Sequence, residues 1–356
     1  MPEGKIYTSY TKLSDMGLLD NIKSKIEEAI TSEPPMLSLS MMGPRAVGKT
    51  TVIASIFAQS QENISGSNLY LRSASQDSAK LIGYKNMLEH AIEERNPAIL
   101  PATNTEADFL FDLGLVGKNP TVKLAIKDFP GEFLTDDSPE KRLRVADFMR
   151  NANVVVVAID TPYLVEESGR LNSEKNMPDI VKNYIIKHVA EFQNKLVLFV
   201  PLKCERYFHE ERMHEVANRV IDVYGDLKNF FLENNIASII SPIITLGGME
   251  FDQMVDNSTG MGSITKIATY RIYEEAPAYE PLFCAQPLLY LLTYVSAYYS
   301  WLQSQPKSFM DKVKSVFSSY LTADSQFRTE ISKMHKRIIT DKFGYRIMTT
   351  NSIFNF

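Results

Sequence analysis

The sequence predicts an α/β fold: three layers around a mostly parallel sheet with one antiparallel hairpin strand, plus a helical insertion and a C-terminal helical extension. Three observations lead there. The apolar runs NVVVVAID, KLVLFVPLK and IASIISPIITL suit strands buried on both faces, and helix-period segments separate them. A short loop, residues 43–50, joins a stretch of period two to one of helical period. Two alternating segments joined by GKNP read as a β-hairpin.

Taken in order, residues 14–30 predict an opening helix, with Leu18, Ile22, Ile26 and Ile30 four apart on one face. Pro34 and Pro35 end it. Leu37, Leu39 and Met41 then alternate with Ser38 and Ser40 in a first strand, and Val52, Ile53, Ile56 and Phe57 mark the helix after the loop. A polar stretch, 60–77, precedes a helix over 79–94 that stops before Pro97. In the hairpin, Phe109, Phe111, Leu113 and Leu115 face Val122, Leu124 and Ile126 across the turn. Strands at 153–160, 195–203 and 236–246 alternate with helices near 178–193 and 212–234. KIATYRIY and an aromatic helix from Leu288 close the domain, and beyond Pro306 the chain reads as polar, helical and appended. The expected division is 1–35, an N-terminal helical segment; 36–305, the α/β domain with a helical insertion at about 60–100; and 306–356, the extension.

Composition narrows the function classes. With 44% hydrophobic and 23% charged residues, the 356-residue chain has the balance of a soluble globular protein. A net charge of −5 gives no electrostatic reason to expect nucleic acid. Two cysteines, Cys204 and Cys284, make no disulfide framework and suit a reducing cytoplasm. Residues 281–306 carry no charge, but the apolar centre is short and broken by Thr293, Ser296 and Ser300. That reads as a buried core helix rather than a membrane span, so no membrane contact is expected.

The loop carries the chemistry. Gly43, Pro44, Arg45, Ala46, Val47, Gly48, Lys49 and Thr50 fit G-x-x-x-x-G-K-[ST], the phosphate-binding loop (P-loop) of nucleoside-triphosphate-binding domains. Glycines let backbone N–H groups turn inward around phosphate oxygens, and the following helix adds the positive end of its dipole. Lys49 can reach the terminal phosphates and the Thr50 hydroxyl can coordinate Mg²⁺, with Thr51 beside them. Such a site needs a second acidic group at the end of another buried strand, and LAIKDFPGEF supplies Asp128. Gly131 follows in D-x-x-G spacing, where a bare backbone N–H can approach a γ-phosphate.

A P-loop followed by a hairpin whose second strand ends in D-x-x-G resembles the translation-factor-like (TRAFAC) class of GTPases. DFPGEF is similar to the D-x-[PA]-G-E of the bacterial predicted double-GTPase and stress-protein GTPases, and the likeness covers roughly residues 36–250. The resemblance implies a switch I threonine over Mg²⁺ and the γ-phosphate; Thr103 and Thr105 are the candidates, and Thr105, 23 residues before Asp128, has the closer spacing. Glu132 stands where many relatives carry the glutamine that orients the attacking water. Arg45, or the weaker candidates Arg142 and Arg144, could neutralise transition-state charge.

Guanine selectivity in this class comes from [NT]-K-x-D. Here the matching residues are Leu202, Lys203, Cys204 and Glu205: the lysine fits, the carboxylate sits one methylene further out, and the polar first residue is lost. The loop of Thr245, Leu246, Gly247 and Gly248 is placed to pack backbone on the base. A carboxylate matches guanine donors better than adenine, which favours GTP over ATP. HEERMH, 209–214, sets its imidazoles five apart and cannot form the H-E-x-x-H zinc helix. His90, His188 and His335 are isolated, and the amphipathic stretch 311–321 reads as packing against the domain.

The sequence thus implies an Mg²⁺-dependent GTP-binding protein that hydrolyses GTP slowly as a switch. An ATPase of similar layout and a nucleotide-binding assembly scaffold with negligible turnover are the alternatives. Guanine nucleotide and an unidentified protein are the expected partners, with a homodimer among the options.

Overall fold

The structure, a computed structural model, describes residues 36–61, 63–95, 107–134, 136, 138–259, 263–304 and 324–354. The helix expected over 14–30, the stretch 311–321, and Thr103 and Thr105 lie outside them.

Five strands run parallel: β1 (Met36–Met42), β4 (Val122–Asp128), β5 (Val154–Asp160), β6 (Leu196–Leu202) and β7 (Ala237–Ile240). β3 (Ala107–Leu115) pairs antiparallel with β4, which is the expected hairpin. β2 (Leu69–Ser73) pairs antiparallel with β3 at one edge, and β10 (Arg346–Thr349) pairs antiparallel with β7 at the other. The order across the sheet is β10-β7-β6-β5-β1-β4-β3-β2.

Alternation along the central strands divides the core into two layers. Leu37, Leu39, Val154, Val156, Leu196 and Leu198 face one side. They pack with helices α1 (Lys49–Ser60), α9 (Gln286–Gln303) and α10 (Ser325–Lys333). Val155, Val157, Val197 and Phe199 face the other. Their partners are α3 (Pro139–Asn151), α5 (Pro178–Lys187), α7 (Met213–Tyr224) and α8 (Leu227–Glu233). Strands covered on both sides need no polar face, so they read as unbroken apolar runs. The uncharged stretch ahead of Pro306 is explained the same way, because Leu288 through Leu292 are buried in the core. Among the described residues no helix is long and apolar enough to cross a membrane.

Three elements add to the sequence reading. The segment read as a helical insertion contains β2 as well as helix α2 (Ser75–Glu93). The C-terminal segment supplies helix α10, and then returns to the main sheet rather than standing apart. Ser238 and Thr349 hydroxyls meet at 2.7 Å, and Tyr345, Ile353 and Phe354 join the core. KIATYRIY pairs with a strand that was not foreseen: β8 (Met249–Thr259) and β9 (Ser263–Ile272) form a separate antiparallel hairpin.

Candidate functional site

The parallel strands all end on one edge of the sheet, where open α/β sheets place their ligand sites. β1 stops at Met42, residues 43–48 turn the chain, and α1 begins at Lys49. Gly48, at the helix N-cap, has φ 114°, a conformation that a side chain disfavours. Arg45 and Ala46 are exposed at the loop tip, whereas Val47 is anchored in the core. Pro44 is buried, and Thr51, in the first turn of α1, is half-buried.

Lys49 folds back over this loop. Its ammonium donates to the carbonyls of Gly43 at 3.0 Å and Pro44 at 3.1 Å. Burial lowers its pKa, and the carboxylates of Asp128 and Glu132 oppose that shift. A desolvated cation on a ring of loop backbone is an anion-binding arrangement.

The β1–β4 register sets Met41 beside Asp128, which brings the end of β4 to the mouth of the loop. There the Thr50 hydroxyl donates to Asp128 Oδ2 at 2.9 Å. Two of the three residues expected to hold a metal, Thr50 and Asp128, are thus in contact; the third, Thr105, lies outside the described residues. Gly131 opens a short turn, Gly131–Leu134, and lies against the loop. A Cβ on Gly131 would stand 2.2 Å from Arg45 N and 2.3 Å from Pro44 C, so nothing larger than glycine fits. Glu132 is half-buried and acts on Lys49 through its charge; Arg142 and Arg144 are exposed on α3.

The expected base side assembles on β6. Leu202 is buried and offers no polar group, and Lys203 follows in a left-handed conformation with φ 60°. A Cβ on Gly48 would meet Lys203 Cε at 4.0 Å, so the lysine stem lies close over the phosphate loop. Glu205 begins α6 (Glu205–His209) and is only 2% exposed. Its Oε1 accepts from the N–H groups of Thr245 and Leu246, both at 2.9 Å, and from the Thr245 hydroxyl at 3.3 Å. Burial raises its pKa against those hydrogen bonds, which lower it. The 245–248 loop is braced on its other side too, where Gly247 and Gly248 press on the backbone of Ala278 and Glu280.

Asp160 escaped the sequence reading. It ends β5 opposite Leu202 in the β5–β6 register, and its Oδ2 pairs with the Lys203 ammonium. Burial alone would lower the pKa of Lys203, but the Asp160 carboxylate outweighs it and holds the lysine above its ordinary value. The signal was present, since an aspartate closing an all-apolar strand demands a partner.

A phosphate loop on β1, a threonine–aspartate pair bridging β1 and β4, and a lysine-bearing loop on β6 define a P-loop protein of the GTPase class. The chain belongs to the Double-GTPase 2 family, whose model matches residues 38–239. No curated protein matches it. Among solved structures it is similar to the GTPase-like domain of Saccharomyces cerevisiae Ski7 bound to GDP and inorganic phosphate. The identity is 15% over 62% of this chain and 45% of that one, with a TM-score of 0.36. The same domain bound to GTP matches at 16% identity over the same shares, with a TM-score of 0.35. LeoA, a bacterial dynamin GTPase from ETEC, matches at 14% identity over 64% of this chain and 32% of that one, with a TM-score of 0.29. The chain thus spans less than half the length of these solved chains.

Proposed function

We propose that the chain binds a guanine nucleoside triphosphate with Mg²⁺ and hydrolyses it slowly as a molecular switch. The Thr50–Asp128 contact carries this reading, because it joins a loop hydroxyl and a strand-end carboxylate beside Lys49. Hard oxygen donors of this kind suit Mg²⁺. Among the described residues no group of three or more His, Cys, Asp or Glu could hold a metal by itself. An ion at Thr50 and Asp128 would therefore draw its remaining ligands from phosphate, water and the switch I threonine, in keeping with the habit of Mg²⁺. Its chemistry there is to neutralise phosphate charge. Lys49 and the loop N–H groups hold the phosphates, and Gly131 senses the γ-phosphate. Glu132 positions water, and Thr105 and Arg45 keep the roles that the resemblance implies.

On the base side, the stem of Lys203 covers the purine and the backbone of 245–248 borders it. Glu205 acts chiefly as the brace that ties these two loops together, given the three donors gathered on its Oε1. Guanine is favoured by family membership. Titration calorimetry with GTP, GDP and ATP, with and without Mg²⁺, tests the binding, and phosphate release over hours tests the turnover. Equal affinity for ATP would remove the guanine preference. Tight GTP binding without phosphate release would leave an assembly role and exclude the hydrolytic switch.

A further inference from the structure

The Lys203 ammonium sits between two groups to which the nucleotide reading gives no role. One is Asp160, 3% exposed, with Oδ2 on the lysine and Oδ1 buried without a hydrogen bond among the described residues. The other is Tyr270 of β9, whose ring centroid lies 5.5 Å from Lys203 Nζ. A tyrosine face at that distance attracts an ammonium, and more strongly where water is excluded.

Tyr270 also shares an apolar cluster with the second base-side loop. Tyr270 and Leu246 both pack against Ala91, Ile92 and Met249, so the ring that meets Lys203 rests on the same apolar cluster as the 245–248 loop. The hairpin that delivers it is fastened to the ends of β5 and β6. Ala268 N donates to the Tyr163 hydroxyl at 3.1 Å, in helix α4 (Thr161–Val165) directly after β5. Arg206 Nη1 donates to Asp252 O at 2.7 Å, and His209 Nδ1 meets Glu250 Oε2 at 2.9 Å, both residues lying on α6 directly after β6. A hairpin merely covering a hydrophobic face would not need an aromatic ring aimed at a paired lysine.

We propose that Tyr270 and Asp160 are positioning residues for the base subsite. They hold Lys203 by its charged end so that its aliphatic stem presents a fixed face to the purine of a bound nucleoside triphosphate. The β8–β9 hairpin is thereby part of nucleotide recognition. This inference rests on the nucleotide reading above and adds residues to it that lie outside the phosphate loop.

The test separates the two ends of the ligand. Titration calorimetry compares GTP with inorganic tripolyphosphate, which probes the phosphate loop alone, in the wild-type chain and in Tyr270→Ala, Tyr270→Phe and Asp160→Asn. Losing the ring face should weaken GTP binding by about tenfold in Tyr270→Ala and leave tripolyphosphate within about twofold. Tyr270→Phe keeps the face and should stay near wild type. Asp160→Asn should repeat the selective loss of GTP, which keeps the proposal testable if Tyr270→Ala does not fold. Wild-type GTP affinity in both Tyr270→Ala and Asp160→Asn overturns it. So does a parallel loss of tripolyphosphate, or a Tyr270→Phe variant as weak as Tyr270→Ala. A wild-type chain that binds tripolyphosphate as tightly as GTP has no base subsite, and both readings then fall on the base side. If it binds neither, the phosphate loop reading itself has failed and takes this one with it.

Discussion

The Thr50 hydroxyl reaches Asp128 Oδ2 over 2.9 Å although the two residues are 78 apart in the chain. The first turn of α1 and the end of β4 are thereby joined at one point. The carboxylate charge is not needed for that hydrogen bond, since an amide oxygen accepts from a hydroxyl as well. Asp128→Asn should therefore fold normally. What it removes is the charge that a divalent cation uses. In the wild type, EDTA should weaken GTP binding. In the variant, affinity in Mg²⁺ should fall by about 1.5–3 kcal/mol, the range for a charged interaction, and EDTA should then change little. Equal EDTA sensitivity in both proteins would leave Asp128 with no part in metal binding.

Lys49 is 6% exposed, and its ammonium donates to two loop carbonyls, Gly43 O and Pro44 O. Lys49→Ala should lower affinity for GTP and for tripolyphosphate alike, by at least about 3 kcal/mol, because charge-assisted bonds to phosphate are lost. Thermal unfolding should hardly move, as the deletion also relieves the desolvation of a charge. Burial lowers the pKa of Lys49, whereas a bound triphosphate raises it. Binding in alkaline buffer should accordingly take up protons, and the calorimetric heat should vary with the ionisation enthalpy of the buffer. No such variation would mean that Lys49 is fully protonated before the ligand arrives.

Gly131 touches the phosphate loop closely enough that a Cβ would stand 2.2 Å from Arg45 N. Backbone on both sides leaves no flexible side-chain end to yield. Gly131→Ala should displace one segment from the other, with a loss of about 1–3 kcal/mol in stability as in other overpacked sites. Chemical denaturation measures it directly. A fully stable variant would show that this turn moves freely away from the loop.

How far these features were legible depended on the range of the interactions behind them. The phosphate loop, Asp128 and the β3–β4 hairpin could be read because each is a local pattern: a spacing, a strand end, a pair of alternating segments. β2 could not, since Leu69, Tyr70 and Leu71 make too short an apolar run to carry a period. β10 is four residues, RIMT, and is a strand only because β7 offers an edge. The role of Tyr270 depends on a hairpin that brings it to Lys203 from 67 residues away, and no local pattern encodes that contact. Glu205 was the instructive case. The motif sets it two residues after Lys203, but whether its carboxylate faces a ligand or its own protein depends on Thr245 and Leu246, 40 and 41 residues on.

That difference can be measured at Glu205 itself. Its Oε1 gathers three donors, from Thr245 N, Leu246 N and the Thr245 hydroxyl, inside a site where burial penalises the charge. Glutamine keeps an acceptor oxygen in the same place and has no charge to desolvate. As a brace, Glu205→Gln should leave stability and GTP affinity close to wild type. Glu205→Ala should strand the buried Thr245 N–H and the part-buried Leu246 N–H, at about 1–3 kcal/mol for a buried donor left unsatisfied. The loop that borders the base would then loosen, and GTP affinity should fall with tripolyphosphate unchanged. If Glu205 instead reads the guanine N1–H and N2–H₂ with its charge, Glu205→Gln alone should weaken GTP by about 1.5–3 kcal/mol. Xanthosine triphosphate, with a carbonyl in place of the amine, should then gain relative to GTP in that variant. Titration of both nucleotides against both variants separates the two roles, and a gain for xanthosine triphosphate in Glu205→Gln would overturn the brace.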